Sequence, residues 1–261
     1  MFEKKRHVHG LLLLDKPAGV SSNYVLQIVK SLFHAKKAGY IGTLDPLATG
    51  ILPICFGEST KFAQYLTNSD KKYSVIAKLG EKTSTSDSYG NIIKKSPISF
   101  TSCQLDSCIK ELTGLINQIP SMYSAIKHNG IPLYKYARCG LDISRKARKV
   151  YIYKIDSIKY QKNLISFNVF CSKGTYIRTL VEDLGEKLGC GAHVVFLRRL
   201  QIASFDDTKL VKISDLHCYK NINKNIFFQH LDSFLMPVDS PISFLPKVHV
   251  SLEQAYRFKM G

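Results

Sequence analysis

The chain reads as an α+β protein built on a mostly antiparallel or mixed sheet flanked by helices and loops. Three observations lead there. Period-2 strands, two of them joined as a hairpin, alternate irregularly with 3.6-period helices. No regular strand–helix–strand succession marks a parallel sheet. No internal repeat or low-complexity linker divides the 261 residues.

In chain order, the apolar run from His9 to Leu14 predicts a short buried strand, ending in the turn Lys16-Pro17-Ala18-Gly19. Ser21 or Ser22 then caps a helix to about Phe33, with Val25, Ile28, Val29 and Leu32 on one face. A Gly/Pro/Thr-rich loop follows, then a short strand near Leu52 to Phe56 and a helix near Thr60 to Leu66. Lys72 to Leu79 alternates as a strand with Tyr73, Val75 and Ala77 facing one way, and Ser84 to Gly90 is polar loop.

Leu105 to Leu112 reads as a helix, and Asn129-Gly130 as a hairpin turn. From about Ser121 to Lys149 the chain is rich in Lys, Arg and Tyr and has little periodicity. Val150 to Tyr160 and Leu164 to Cys171 form the clearest hairpin, the second arm alternating Ile165, Phe167, Val169 and Cys171 with polar residues. Thr175 is the expected cap of a strong helix carrying Ile177, Leu180, Val181, Leu184 and Leu188, which Gly189 stops. A final strand is expected from about His193 to Phe205.

Composition narrows the partner class. Lys and Arg number 37 against 20 Asp and Glu, a net charge of +17, in a chain that is 45% hydrophobic. That apolar content builds a core, so the charge is not that of a disordered tail, and it favours a polyanion. The Leu11–Leu14 run is too short for a membrane span or a secretion-signal core, which points to a cytoplasmic protein. Seven scattered cysteines with no C-x-x-C pair, and eight histidines without ligand spacing, predict reduced thiols and no metal.

The most informative segment is GYIGTLDPLATGILPICFG, from Gly39 to Gly57. It places Asp45 on a tight loop between Gly42 and Gly50, with Pro46 restricting the backbone just after the acid. Leu47, Ile51, Leu52 and Ile54 follow and can keep the carboxylate in dry surroundings. Taken alone, an Asp before Pro is most often a turn residue. The string GTLDPLATG, however, resembles the catalytic loop of the TruB family of tRNA pseudouridine synthases, whose Asp is the nucleophile.

Three further segments carry the same resemblance. CSKGTYIRTLVEDLGEKLGCGAH is similar to the family block whose Arg, matching Arg178, pairs with the nucleophile and whose Tyr, matching Tyr176, lines the uridine site. DKKYSVIAKLG, continuing to TSTSDSYGNI, resembles the block whose Tyr, matching Tyr73, stacks on the base; Leu197 in VVFLRRL matches an apolar contact to it. LLLLDKPAGVSS resembles the N-terminal signature, with Pro17 shaping a turn and Lys16 reaching RNA phosphate or steadying the loop. By their own residue types Tyr73 and Leu197 would be core residues, and Arg178 a solvated helix position.

The resemblance spans about Gly10 to Pro241 and implies the pseudouridine synthase fold, with conversion of uridine to pseudouridine at tRNA position 55. It implies a flipped-out uridine attacked by Asp45 at C1′ or C6, no cofactor and no metal, and the tRNA T-arm as partner of a monomer. PSMYSAIKHNGIPLYKYARCG and the run Arg145 to Lys149 resemble an insertion, about 121–149, that clasps the T-loop: Tyr123, Tyr134 and Tyr136 for stacking, Lys127, Lys135 and Arg138 for phosphates.

Two departures stand out. The family usually has GHTG where this chain has Gly39-Tyr40-Ile41-Gly42, and Tyr40, a substrate contact by position, cannot become cationic near neutral pH; slower base flipping is expected. The expected catalytic domain spans 1–245, and 246–261 would only begin a C-terminal PUA RNA-binding domain, with weaker tRNA binding as the consequence. The alternative function is a non-catalytic tRNA-binding or tRNA-folding chaperone on the same scaffold; a DNA-binding role lacks any recognition-helix signature.

Overall fold

A computed structural model describes residues 4–217 and 223–260. Cys218, one of the seven cysteines, lies outside the described residues, and so does Gly261. The elements are β1 (Gly10–Lys16), α1 (Ser22–Leu32), β2 (Ala38–Tyr40), β3 (Thr49–Phe56), α2 (Ala63–Thr67), β4 (Lys71–Leu79), β5 (Glu81–Thr83) and β6 (Ile92–Lys95). They continue with α3 (Ser102–Glu111), β7 (Gly114–Gln118), β8 (Lys127–His128), β9 (Ile131–Pro132), α4 (Leu133–Arg138), β10 (Arg148–Gln161) and β11 (Leu164–Cys171). The last are α5 (Ile177–Lys187), β12 (Ala192–Ile202), β13 (Phe205–Asp206), α6 (Ile213–His217), α7 (Lys224–Ser233) and α8 (Leu252–Met260).

A nine-stranded mixed sheet organises the molecule, in the order β1-β3-β12-β4-β11-β10-β7, with β2 on β3 and β13 on β12. Its pairings are antiparallel except β3 with β12. The Leu11–Leu14 run is buried because alternate leucines serve two cores. Leu12 and Leu14 join the main cluster beneath α1 and α5, while Leu11 and Leu13 pack with Ile51, Cys55 and Ile202 on the other face. β4 has one apolar face, with Tyr73, Val75, Ala77 and Leu79 all in the main cluster. Its single alternation is the mark of a strand half covered.

The outer edge of β1 is covered by returning chain. Leu11 exchanges backbone hydrogen bonds with Met236 (3.1 and 2.8 Å), and Val211 bonds to both Leu13 and Asp15 (2.9 Å each). An open edge of this apolarity would invite pairing with another chain. α1 begins at Ser21, whose hydroxyl accepts from the Tyr24 N–H, and buries Val25, Leu26 and Val29. Burying each such side chain stabilises by about 1.5–3 kcal/mol.

Several sequence expectations change. Thr175 does not cap α5: its hydroxyl donates to the Ser172 carbonyl at 2.8 Å, and Tyr176 takes the cap position, bound through its backbone by Gln118. The last strand ends at Ile202, because Ala203 adopts φ +53° and turns the chain into β13. The 121–149 region contains the β8–β9 hairpin and α4, and α6, α7 and α8 follow β13. The loop from Ser84 to Gly90 is polar, yet Ser86 and Asp87 are buried.

β12 lies between β3 and β4, so the two strand ends nearest the Asp45 loop meet there. Gly50 is required at that crossing: its φ is +94°, and a Cβ would stand 2.3 Å from the Arg199 carbonyl oxygen. Gly50→Ala should therefore lower stability by about 1–3 kcal/mol, read as a fall in the urea midpoint at unchanged m-value.

Candidate functional site

A cavity of about 340 Å³ opens where the Asp45 loop, β4, α5 and β12 converge. Asp45, Tyr73, Tyr176, Arg178 and Leu197 all line it, as do Thr43, Leu44, Lys71, Tyr123 and Arg199. The expected apolar wall is different in detail: Leu47, Ile51, Leu52 and Ile54 are buried in the cores, and Leu44, Ile177 and Leu197 are the aliphatic lining.

Arg178 grips Asp45 with both arms of its fork. Its Nε donates to Oδ2 at 2.8 Å and its Nη2 to Oδ1 at 2.9 Å. The remaining donors go to the Thr85 carbonyl (3.0 Å) and the Tyr123 carbonyl (2.8 Å), and Asp87 stands 3.8 Å away. Asp87 is held in turn by the Thr85 hydroxyl and the Tyr89 N–H, so a buried second carboxylate backs the arginine. Burial pushes the Asp45 carboxyl above the usual carboxylate range, while the Arg178 charge and hydrogen bonds pull it back.

The loop around Asp45 is fixed by side chains from elsewhere. Ser22, the first residue of α1, donates to the Leu44 carbonyl and accepts from the Leu44 N–H, both at 2.9 Å. Lys16 is wholly buried, and its ammonium donates to the carbonyls of Pro17 (2.8 Å), Pro46 (3.3 Å) and Ala48 (2.8 Å). Of the two readings of Lys16, those bonds fit steadying the loop and not reaching phosphate, since the ammonium is spent on the loop backbone. Burial lowers its pKa to about 8, against the raising effect of Asp45.

Tyr40 lies apart from the other candidate site residues. It pairs with Ile54 in the β2–β3 ladder and packs against the main core, outside the cavity lining. Tyr73 and Tyr176 line the cavity, and burial raises both hydroxyl pKa values. Residues that sequence reasoning left without a role are Ser22, Asp87, Gln118, Lys71 and Arg199. Only the burial of charge would have flagged the last two, and burial is not written in a local pattern.

Among the described residues, no group of three or more His, Cys, Asp or Glu is placed to hold a metal ion. The six described cysteines are free thiols. No helix among the described residues is long and apolar enough to cross a membrane.

The cavity thus ends in an arginine-clamped aspartate beside two tyrosines, and comparison with known proteins places the whole chain among the pseudouridylate synthases. The model of the TruB family pseudouridylate synthase N-terminal domain matches residues 30–177, more than half of the chain. That of the tRNA pseudouridylate synthase B C-terminal domain matches residues 178–243. The chain belongs to the TruB family of pseudouridylate synthases, which are isomerases.

Similar relatives include tRNA pseudouridine synthase B of Buchnera aphidicola subsp. Acyrthosiphon pisum, 68% identical over all of this chain and 84% of its own length. The enzyme of that name from Salmonella arizonae is 50% identical over 98% of this chain and 82% of its own. Among solved structures, a chain of a Cbf5-Nop10-Gar1 complex superposes with a TM-score of 0.73 at 26% identity, over 97% of this chain and 67% of its own. One from an archaeal box H/ACA Nop10-Cbf5 complex gives 0.70 at 25% identity, over 98% and 68%. The boundary between the two family models falls inside α5, and β12, from the second, pairs between β3 and β4, both from the first.

Replacing Lys16 by Met keeps its bulk and removes the donor to the Pro17 and Ala48 carbonyls, while the Pro46 carbonyl keeps the Gly19 N–H (2.8 Å). Each buried carbonyl left without a donor costs about 1–3 kcal/mol, so Lys16→Met should melt lower and become susceptible to proteolysis between Ile41 and Ile51.

Proposed function

We propose that this protein converts uridine to pseudouridine at position 55 in the T-loop of tRNA, with Asp45 as the nucleophile. The bidentate Arg178–Asp45 pair on the wall of the cavity carries this reading. An attacking carboxylate must be ionised and aimed. Arg178 favours the charged form, and its fork sets the direction of both oxygens.

The target base leaves the folded T-arm and enters the cavity. Tyr73 and Tyr176 offer aromatic faces to it, and Leu197 supplies an apolar contact. Stacking of a base on an aromatic ring is worth about 1–3 kcal/mol. Asp45 attacks C1′ or C6; the uracil detaches from C1′, turns and rebonds through C5, the bond to Asp45 breaks, the C5 proton is lost and N1 takes one up. Atoms are rearranged within one nucleotide, so the chain needs only to bind, orient and stabilise charge.

The 121–149 segment is suited to clasping the T-loop. Lys127, Lys135, Arg138, Lys146, Arg148 and Lys149 are all exposed. The guanidinium of Arg138 lies 5.3 Å from the centre of the Tyr134 ring. Tyr123, at the root of the segment, offers its carbonyl to Arg178, so a clasp closing on RNA would bear directly on the Asp45 pair.

Release of C5 tritium from a labelled tRNA transcript tests the reading. Native protein should release it and Asp45→Asn should not. Salt-sensitive binding without release by the native protein would overturn it in favour of a binding-only protein.

The rate should also report the Asp45 titration. It falls as pH drops through the Asp45 pKa, because the protonated acid cannot attack. Arg178→Lys keeps a charge but loses the bidentate fork, which removes a pKa-lowering contribution. Burial and Asp87 remain as raising influences, with Lys16 a weak opposing one. The acid limb of the single-turnover profile should therefore move to higher pH in Arg178→Lys.

A further inference from the structure

Arg199, within β12, is 1% exposed and lines the same cavity. Its Nε and Nη2 donate to the Ile51 carbonyl at 2.8 and 2.6 Å, Nη2 reaches the Ile41 carbonyl at 3.5 Å, and the guanidinium also hydrogen-bonds the Tyr73 side chain. Ile41 and Ile51 flank the Asp45 loop, so one guanidinium ties its two ends. Gly42 makes room for it, since a Cβ there would lie 2.8 Å from Nη1. Tyr73 stands directly across from Arg199 in the β4–β12 register, and the guanidinium counters the burial that raises its hydroxyl.

Among the described residues, no carboxylate forms an ion pair with Arg199. Lys71, two residues before Tyr73, is in the same position: its ammonium donates to the carbonyls of Leu66 (3.4 Å), Thr67 (2.9 Å) and Ser69 (2.5 Å). The Arg178 charge is offset by Asp45 and Asp87. The β4–β12 wall of the cavity thus holds two buried cations without counter-ions. Burying charge in this way is costly unless an anion completes the site.

The reaction proposed above supplies that anion. Attack at C1′ breaks the C1′–N1 bond and leaves its electron pair on the ring. Attack at C6 moves the C5–C6 pair onto C5 and O4. On either route the C1′–N1 bond breaks and the ring carries negative charge; the new C5–C1′ bond then uses that pair, the bond to Asp45 breaks and returns the carboxylate, the C5 proton passes to solvent and N1 takes up a proton. We propose that Arg199 is a positioning residue of this reaction, whose uncompensated charge, fixed between the Asp45 loop and Tyr73, stabilises the negative uracil ring between cleavage and rebonding. The inference rests on the synthase reading, and adds the group that carries the charge of the detached base.

The test compares native protein, Arg199→Lys and Arg199→Gln in single-turnover tritium release from T-arm RNA. The same proteins are then given RNA with 5-fluorouridine at the target, scored by loss of the intact nucleoside. The fluorinated ring carries negative charge more readily, so it needs the cation less. Arg199→Gln should slow the uridine reaction by about 10²–10³, slow fluorouridine cleavage by at least about tenfold less, and leave the RNA dissociation constant unchanged. Arg199→Lys retains the charge and should stay within about tenfold of native even if it melts lower.

Equal slowing by the two substitutions, or equal slowing of the two bases by Gln, would reduce Arg199 to a loop clamp and overturn the inference. Should Arg199→Gln fail to fold, a larger loss in folded Arg199→Lys overturns it equally. Native protein that releases no tritium would overturn the synthase reading itself, a result distinguishable from native release with undamaged variants.

Discussion

The bidentate pair between Arg178 and Asp45 is the interaction on which the rest of the site depends. Arg178 is almost wholly buried, and its donors reach the Asp45 loop, the Thr85–Asp87 loop and the root of the 121–149 segment. Three separate stretches of chain therefore share one guanidinium. Breaking a buried pair by removing one partner costs about 3–5 kcal/mol, because the other charge is left uncompensated. An energy of that size makes the arrangement all-or-none: either α5 docks with Arg178 on Asp45, or neither residue has a tolerable environment.

If Asp45 is the nucleophile proposed above, its loop gains from being rigid before substrate arrives, since misplacement by an ångström is expensive in rate. Here rigidity comes from side chains reaching in from regular elements rather than from the loop itself. Lys16 extends from the end of β1, Ser22 from the first turn of α1 and Arg199 from the middle of β12. Each satisfies backbone groups that the loop cannot pair internally. Gly42 and Gly50 are the complement of this bracing: both lie against Arg199, where a side chain would collide. The loop's glycines and the buried arginine are one packing solution read from two sides.

The cavity is consequently electropositive in a protein that is already strongly basic. Exposed lysines and arginines draw in RNA at long range, and that attraction weakens with salt. Buried cations act differently. They are shielded from salt, they contribute only to what enters the cavity, and the carbonyl oxygens around them offset part of the cost of their burial. On the function proposed above, the same residue types serve binding on the surface and chemistry in the interior.

Much of this was legible in the chain. Alternation at Tyr73, Val75 and Ala77, the Val150–Cys171 hairpin and the helix after Tyr176 follow from periods of 2 and 3.6, which are local properties. GTLDPLATG and the segment around Tyr176 and Arg178 marked the two halves of the ion pair. The strand order, with β12 inserted between β3 and β4, was not legible, because it depends on pairing across more than a hundred residues. Nor could residue type alone show that Lys16 and Arg199 turn inward while Tyr40 stays in the β2–β3 ladder; burial is a property of the assembled sheet. The sequence by itself determined the longer strands and helices, the charge and the candidate nucleophile. Only the tertiary structure decided which cations lost their water, since that requires distant strands to close around them.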